Sequence, residues 1–376
     1  MKSTFRMIQV SVMVCFLIVP VIGLLFLPNQ IYSLNENRAL KEFPKGCEAA
    51  FANDGTYGTQ LSEYFNDRFQ FRDLLIRIKG ELKYRLFHVT GENGVYVGSD
   101  GYLYYKEVVD QEQITNERLS EEEISRIVSS FENLKEYIES HKKQFLFMLP
   151  PQKNEVFPER TPEFHVIRKD PNKYQILLKA LSESSVAQEF VDVMPILREA
   201  EKKYPTYYKT DFHWNTFGAA SAFTEVVNTL AASEKMEGHI FSDQMYEVYF
   251  EEFAGGQLVN IPLLERWKEE AVFTRKKTEC TMQANVEDQD NRYIHYLNSD
   301  MNAPLGRVLF IGDSYTEYML HSNCGILDLF KEAWFVHVGI SEKVISQYVN
   351  QVDYVIVERI ESAMPYISHE IDRMIE

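Results

Sequence analysis

Met7 to Leu27 is an uncharged, mostly apolar stretch preceded by Lys2 and Arg6. As a helix, such a stretch reaches across about 30 Å of hydrocarbon. The basic residues in front of it predict a cytoplasmic N-terminus, with everything downstream on the outer side of the membrane. A cleaved signal peptide is the alternative. Ile31-Tyr32-Ser33 is a poor small-x-small site and the apolar run exceeds a usual h-region, so a retained anchor is expected over residues 1–30.

Beyond the anchor the pattern turns periodic. A polar connector ends near Tyr57-Gly58, and Tyr64, Phe65, Phe69, Leu74, Leu75 and Leu82 then recur at roughly helical spacing between Leu61 and Phe87. Residues 31–90 therefore read as connector and packing helix. Gly94 to Tyr105 reads as two short strands around a Ser99-Asp100-Gly101 turn. From about Leu119, helix and strand alternate. A helix is predicted over Glu121–Ser140 and a buried strand over Gln144–Leu149, ended by Pro150-Pro151. Phe190–Val193 is a weaker strand, Thr216–Ala232 a helix and Arg307–Ile311 a strong strand. Ala333–Val338 and Tyr354–Val357 complete the strands, with a helix between them and another after Glu361. This alternation predicts an α/β domain over residues 91–376 with a mostly parallel sheet. His239 to Asn302 breaks the rhythm and reads as an insertion carrying antiparallel strand.

Composition narrows the class of function. With 45% hydrophobic residues the chain can bury a large core. A formal charge of -17, from 39 basic and 56 acidic residues spread along the chain, disfavours nucleic acid as a partner. No fixed-period repeat and no low-complexity tract is present. Cys15 lies within the apolar segment, and Cys47, Cys280 and Cys324 lack the CxxC spacing of zinc or redox sites. A Cys47–Cys280 disulfide is permitted outside the cell, and Cys324 reads as a buried small apolar side chain.

Two short motifs carry chemistry. In Arg307-Val-Leu-Phe-Ile-Gly-Asp-Ser-Tyr315 a buried strand ends in a glycine and a serine opens what should be a helix. Gly312 would let the chain turn sharply, lifting Ser314 to the carboxyl end of the strand, where open α/β sheets bind ligands. The Ser314 amide, at a helix start, can face a developing oxyanion. Asp313 or Ser314 acting only as a helix cap is the plainer reading. The second motif is Thr210-Asp-Phe-His-Trp-Asn215, followed by a helix that Asn215 or Thr216 can cap. In extended backbone Asp211 and His213 project to the same side, so the carboxylate can fix the imidazole tautomer and leave the other nitrogen to take a proton from Ser314. Zinc ligation by Asp211 and His213 lacks a third ligand at a familiar spacing, so neither metal nor cofactor is expected. Gly312, Asp313, Tyr315, Lys153, Asn154 and Trp214 are the further candidates for oxyanion or substrate contact, with Gln152 beside them. Trp214 is expected chiefly to pack on the sheet. Glu358-Arg359 would form an ion pair or line the pocket.

Taken with Glu36-Asn-Arg38 before Phe43-Pro44, Asp67-Arg-Phe-Gln-Phe-Arg72, Gly98–Tyr105 and Pro151–Pro158, these motifs make the chain resemble the DHHW proteins and the alginate O-acetylation proteins of the SGNH hydrolase superfamily. As in that branch, Asp-x-His precedes Gly-Asp-Ser. Phe212 stands where the family name implies a histidine, which leaves the flanking pair intact. The resemblance implies a flavodoxin-like sheet with helices on both faces, and a serine-ester mechanism moving acyl groups to or from hydroxyls of an extracellular glycan. It also implies an MBOAT-type membrane protein as acyl donor. Water as acceptor would make the same site an esterase, and a glycan-binding scaffold that keeps the fold is the non-catalytic alternative.

Overall fold

A computed structural model describes residues 31–33, 38–44, 56–68, 72–87, 94–110, 119–161, 171–254, 256, 268–288 and 290–375, with scattered positions before residue 23. The greater part of the expected anchor, and Cys47, lie outside the described residues. Among the described residues no helix is long and apolar enough to cross a membrane. The chain divides into two units, residues 1–95 with 257–267, and residues 96–256 with 268–376.

In the first unit, strands β1 (Tyr32–Ser33) and β2 (Arg38–Ala39) pair antiparallel, and helices α1 (Thr56–Asp67) and α2 (Arg72–Phe87) follow. The single periodic stretch from Leu61 is therefore two helices. The break comes directly after Asp67, whose carboxylate is engaged by Arg38 through both guanidinium nitrogens at 2.7 and 2.8 Å and by the Lys41 amide at 2.9 Å. That fork holds the Asp67 carboxyl well below the usual carboxylate range.

The second unit opens with the predicted hairpin, β3 (Val95–Val97) and β4 (Leu103–Tyr105), turning through Ser99–Gly101. Helix α3 (Glu121–Ser140) starts where Ser120 and Glu123 cap each other, the Glu123 amide donating to Ser120 Oγ at 3.2 Å and the Ser120 amide to Glu123 Oε2 at 2.8 Å. Strand β5 (Gln144–Met148), helices α4 (Lys173–Ser182), α5 (Met194–Ala200) and α6 (Thr216–Ser233), and strands β6 (Tyr246–Phe253), β7 (Glu269–Lys276), β8 (Met282–Glu287), β9 (Tyr293–Asn298) and β10 (Leu305–Gly312) follow. Helix α7 (Ser314–Leu320), β11 (Phe330–His337), α8 (Val344–Tyr348), β12 (Tyr354–Glu358) and α9 (Met364–Ile375) close the unit.

The central sheet has six strands in the order β5-β12-β10-β11-β9-β8. The first four run parallel, and β9 and β8 add antiparallel strands at one edge. Its two faces are both covered, which follows from register. Phe147, Val357 and Ile311 lie side by side, and Phe131 of α3 stacks on Phe147 at 3.9 Å. Leu146, Ile356 and Phe310 point the other way, and Phe223 of α6 meets Phe310 edge-on. The stretch 239–302 contributes a separate two-stranded pair, β6 with β7, besides β8 and β9. The expected strand at Phe190–Val193 shrinks to one parallel bridge, Phe147 with Phe190. Asp192 accepts the Met194 amide at 3.0 Å and turns the chain into α5 before pairing can extend.

Cys280 is exposed with a free thiol. Cys324 is buried as its surroundings suggested, and burial pushes its thiol up to about 11.

Candidate active site

Strand β10 delivers Gly312 and Asp313 to the carboxyl edge of the parallel sheet, and α7 begins at Ser314. The glycine is required by proximity. A Cβ on Gly312 would lie 2.2 Å from Thr316 Oγ1 and 2.8 Å from Glu358 Oε2. The sharp turn expected of Gly312 is not the reason, because its φ is not among the positive values. Asp313 takes the capping role, its Oδ1 accepting the Tyr315 amide at 2.9 Å. Its Oδ2 receives Arg359 Nη1 at 2.6 Å and the Ile360 amide at 3.1 Å. Ser314, half-buried, is thereby relieved of capping, and its amide, at the start of the helix, has no intrahelical acceptor.

Beneath this turn Glu358 is fully enclosed. Its Oε2 accepts from the Asp313 amide, the Thr316 amide and Thr316 Oγ1 at 3.1, 3.2 and 2.8 Å. Burial, with the Asp313 carboxylate second, holds the Glu358 pKa well above the usual carboxylate range. Arg359 pairs with Asp313 and with Glu370. The two residues at the end of β12 are thus framework under the serine, not pocket lining.

The Asp-x-His motif reaches the same edge by a different local route from the one expected. Residues 209–213 form a succession of bends, closed by an antiparallel bridge between Tyr207 and Trp214, in place of extended backbone. Asp211 and His213 come to one side because Asp211 Oδ1 accepts the His213 amide at 3.0 Å, folding the carboxylate back over its own chain. The same oxygen accepts His213 Nδ1–H at 2.6 Å, and Ser314 Oγ–H donates to His213 Nε2 at 2.7 Å. Asp211 and His213 are each 3% exposed, so the imidazole meets solvent only past the serine. Its ring is flanked by Phe212 at 3.8 Å and Tyr318 at 4.6 Å. Asn215 caps α6 by accepting the amides of Phe217 and Gly218.

The remaining candidates are placed plainly, and most turn away from an acyl group. Trp214 is fully buried and donates Nε1–H to the Tyr315 carbonyl at 3.0 Å, while Tyr315, also fully buried, donates its hydroxyl to the Phe212 carbonyl at 2.9 Å. Each therefore ties one motif to the other, and neither contacts substrate. Lys153 spends all three ammonium donors on the carbonyls of Tyr208, Lys209 and Asp211, which leaves none for an oxyanion. Gln152 is occupied by Glu361 and Ser362. Asn154 is 2% exposed within the one-turn helix Lys153–Val156.

Three residues of the site carried no signal in the sequence. Gly256 passes so close to Asp211 that a Cβ there would lie 1.8 Å from Oδ2. Glu269 receives the amides of Lys209 and Thr210. Tyr318 packs on the imidazole from one turn beyond the serine, a spacing that could have been noticed, since residues four apart share a helix face. Among the described residues no group of three or more His, Cys, Asp or Glu is placed to hold a metal.

Residues 95–323, which include Asp211, His213 and Ser314, match the family described as the SGNH hydrolase-like domain of acetyltransferase AlgX. The probable alginate O-acetylase AlgJ of Pseudomonas syringae pv. tomato is 21% identical over 201 residues, covering 54% of this chain and 49% of that protein. The chain thus spans about half the length of the curated relative it matches. Bacillus cereus PatB1, solved with a sulfonyl adduct, aligns with a TM-score of 0.54 at 14% identity over 72% of this chain and 97% of its own. A DHHW family protein from Eubacterium siraeum aligns at 0.51 and 13% identity over 75% and 95%. These structural likenesses show a common fold.

Proposed function

Because the chain belongs to the family of SGNH hydrolase-like domains described for acetyltransferase AlgX, we propose that it is a membrane-anchored, outward-facing O-acyltransferase. It moves an acetyl group onto hydroxyls of a cell-surface or exported polysaccharide through an acyl-Ser314 intermediate. The observation that carries this reading is the unbroken relay from Ser314 Oγ to His213 Nε2 at 2.7 Å and from His213 Nδ1 to Asp211 Oδ1 at 2.6 Å.

In the first half-reaction Ser314 Oγ attacks the acyl carbonyl and its proton passes to His213 Nε2. Asp211 holds the Nδ1–H tautomer and offsets the imidazolium charge. The negative oxygen of the tetrahedral intermediate faces the Ser314 amide, whose dipole at the start of α7 favours it. Collapse expels the donor's leaving group, which takes the proton back from His213. A sugar hydroxyl then attacks the acyl-serine while His213 receives its proton, and Ser314 is released. The relatives' names support acetyl as the acyl group, and an MBOAT-type protein is the proposed source of it across the membrane.

The test is release of 4-nitrophenol from 4-nitrophenyl acetate by the purified protein, with and without an oligosaccharide acceptor. The expected result is turnover that Ser314→Ala abolishes, and acetylated oligosaccharide at the expense of free acetate. Unchanged turnover in Ser314→Ala would sink the assigned nucleophile, and acetate alone would make the protein an esterase.

A further inference from the structure

The bend that carries Asp211 is gripped from two sides by side chains of opposite charge. Lys153, 1% exposed, comes from the turn after β5 and donates Nζ–H to the carbonyls of Tyr208 at 3.0 Å, Lys209 at 3.0 Å and Asp211 at 2.7 Å. Glu269, the first residue of β7, accepts the Lys209 amide at 2.7 Å, the Thr210 amide at 3.0 Å and the Thr210 hydroxyl at 2.6 Å. Residues 209–213 belong to no helix or strand, so their buried polar groups need partners from elsewhere. These two side chains supply five of them.

We propose that Lys153 and Glu269 are positioning residues for the acyl-transfer site, clamping the main chain of residues 208–211 so that the Asp211 carboxylate stays aligned on His213. The clamp rests on the proposed role of Ser314, since its purpose is to orient the base. Neither residue touches the reacting atoms. Both reach Asp211 through its backbone, from segments far apart in the chain, one after the first core strand and one in the stretch between the two motifs.

Charge gives the clamp a second effect. The ammonium neighbours both the Glu269 and Asp211 carboxylates, and those two charges oppose the burial that pushes Lys153 down to about 7. Three carbonyl acceptors favour the protonated form, which alone has three N–H donors. The other titratable groups around the pair are the hydroxyls of Tyr105, Tyr208, Tyr315 and Tyr318, all held neutral by burial. The positive charge of Lys153 therefore disfavours the imidazolium of His213, and removing it raises the pH at which His213 becomes a free base.

The experiment measures kcat, KM and the pH profile of 4-nitrophenyl acetate hydrolysis by full-length wild type, Lys153→Met, Glu269→Gln and the double variant. The expected loss in kcat is about 10- to 100-fold for each single change, as for an angstrom-scale misplacement, with KM within about twofold. The acid limb of kcat/KM in Lys153→Met moves to higher pH. The double variant loses less than the product of the two single losses, because both act on one stretch of main chain. Glu269 is half-buried, so Glu269→Gln carries the test if Lys153→Met does not fold. Either folded single variant with kcat within twofold of wild type, or an unmoved acid limb in folded Lys153→Met, overturns the clamp. A wild type that does not turn over, or a Ser314→Ala that does, overturns the proposed function instead.

Discussion

Asp313 Oδ1 accepts the Tyr315 amide at 2.9 Å, so the residue before Ser314 caps the helix that Ser314 begins. The two readings of Gly-Asp-Ser, helix cap and nucleophile, are therefore divided between neighbours. Asp313 is also the anion that Arg359 faces at 2.6 Å, with side chains 9% and 16% exposed. Asp313→Ala would remove the cap and strand a mostly buried guanidinium, lowering stability by roughly 3 kcal/mol. Asp313→Asn keeps the capping oxygen and should lose clearly less. Urea unfolding of the two variants against wild type measures the difference, and equal losses would show that the cap contributes nothing.

Asp211→Asn retains the shape of the side chain but offers an amide where His213 Nδ1–H needs an acceptor. The favoured tautomer then places the proton on Nε2, facing the serine. A fall in kcat of about three to four orders of magnitude is expected. Thermal melting should change little by comparison, and a variant within tenfold of wild type would remove Asp211 from the relay.

Gly256→Ala places a Cβ where the Asp211 carboxylate now sits, 1.8 Å from Oδ2. One of the two must move. Displacing the carboxylate by about an angstrom should cost on the order of 100-fold in kcat. Gly94→Ala, where a Cβ meets nothing within 4 Å, is the control and should keep wild-type kinetics.

Glu358 has one oxygen, Oε1, with no hydrogen-bond partner, and burial raises its pKa well above the ordinary value of 4.5. The native state therefore keeps a proton that the unfolded chain releases. By linkage this group's contribution is full below about 4.5 and is lost as pH rises toward its folded pKa. Glu358→Gln imitates the protonated acid and should flatten that decline. Denaturant midpoints from pH 4.5 upward, wild type against variant, check it, and parallel curves would show that Glu358 is ionised in the folded protein.

Much of the fold was legible because its signals are local. The apolar runs at Gln144–Leu149, Arg307–Ile311 and Tyr354–Val357 have no other stable home than a sheet buried on both faces, and the capping box at Ser120 and Glu123 marks its helix without reference to anything distant. The proximity of Asp211 to His213 was legible too, since residues two apart need only the right local backbone. The backbone that achieves it was not, because the bend depends on a side-chain hydrogen bond in place of a strand's regular geometry. The break after Asp67 and the loss of the Phe190 strand were hidden for the same reason, as each turns on one polar contact that periodicity does not register.

By itself, then, the sequence determined which residues have the chemistry for acyl transfer, Ser314, His213 and Asp211, because nucleophile, base and carboxylate are properties of side chains. Only the tertiary structure decided what surrounds them. Lys153, Trp214 and Tyr315 looked like residues for a ligand and proved to be internal braces, while Gly256 and Glu269 looked like nothing and stand against Asp211. Whether a donor points at substrate or at a carbonyl depends on which distant segments the fold brings alongside, and no local pattern of residue types records that.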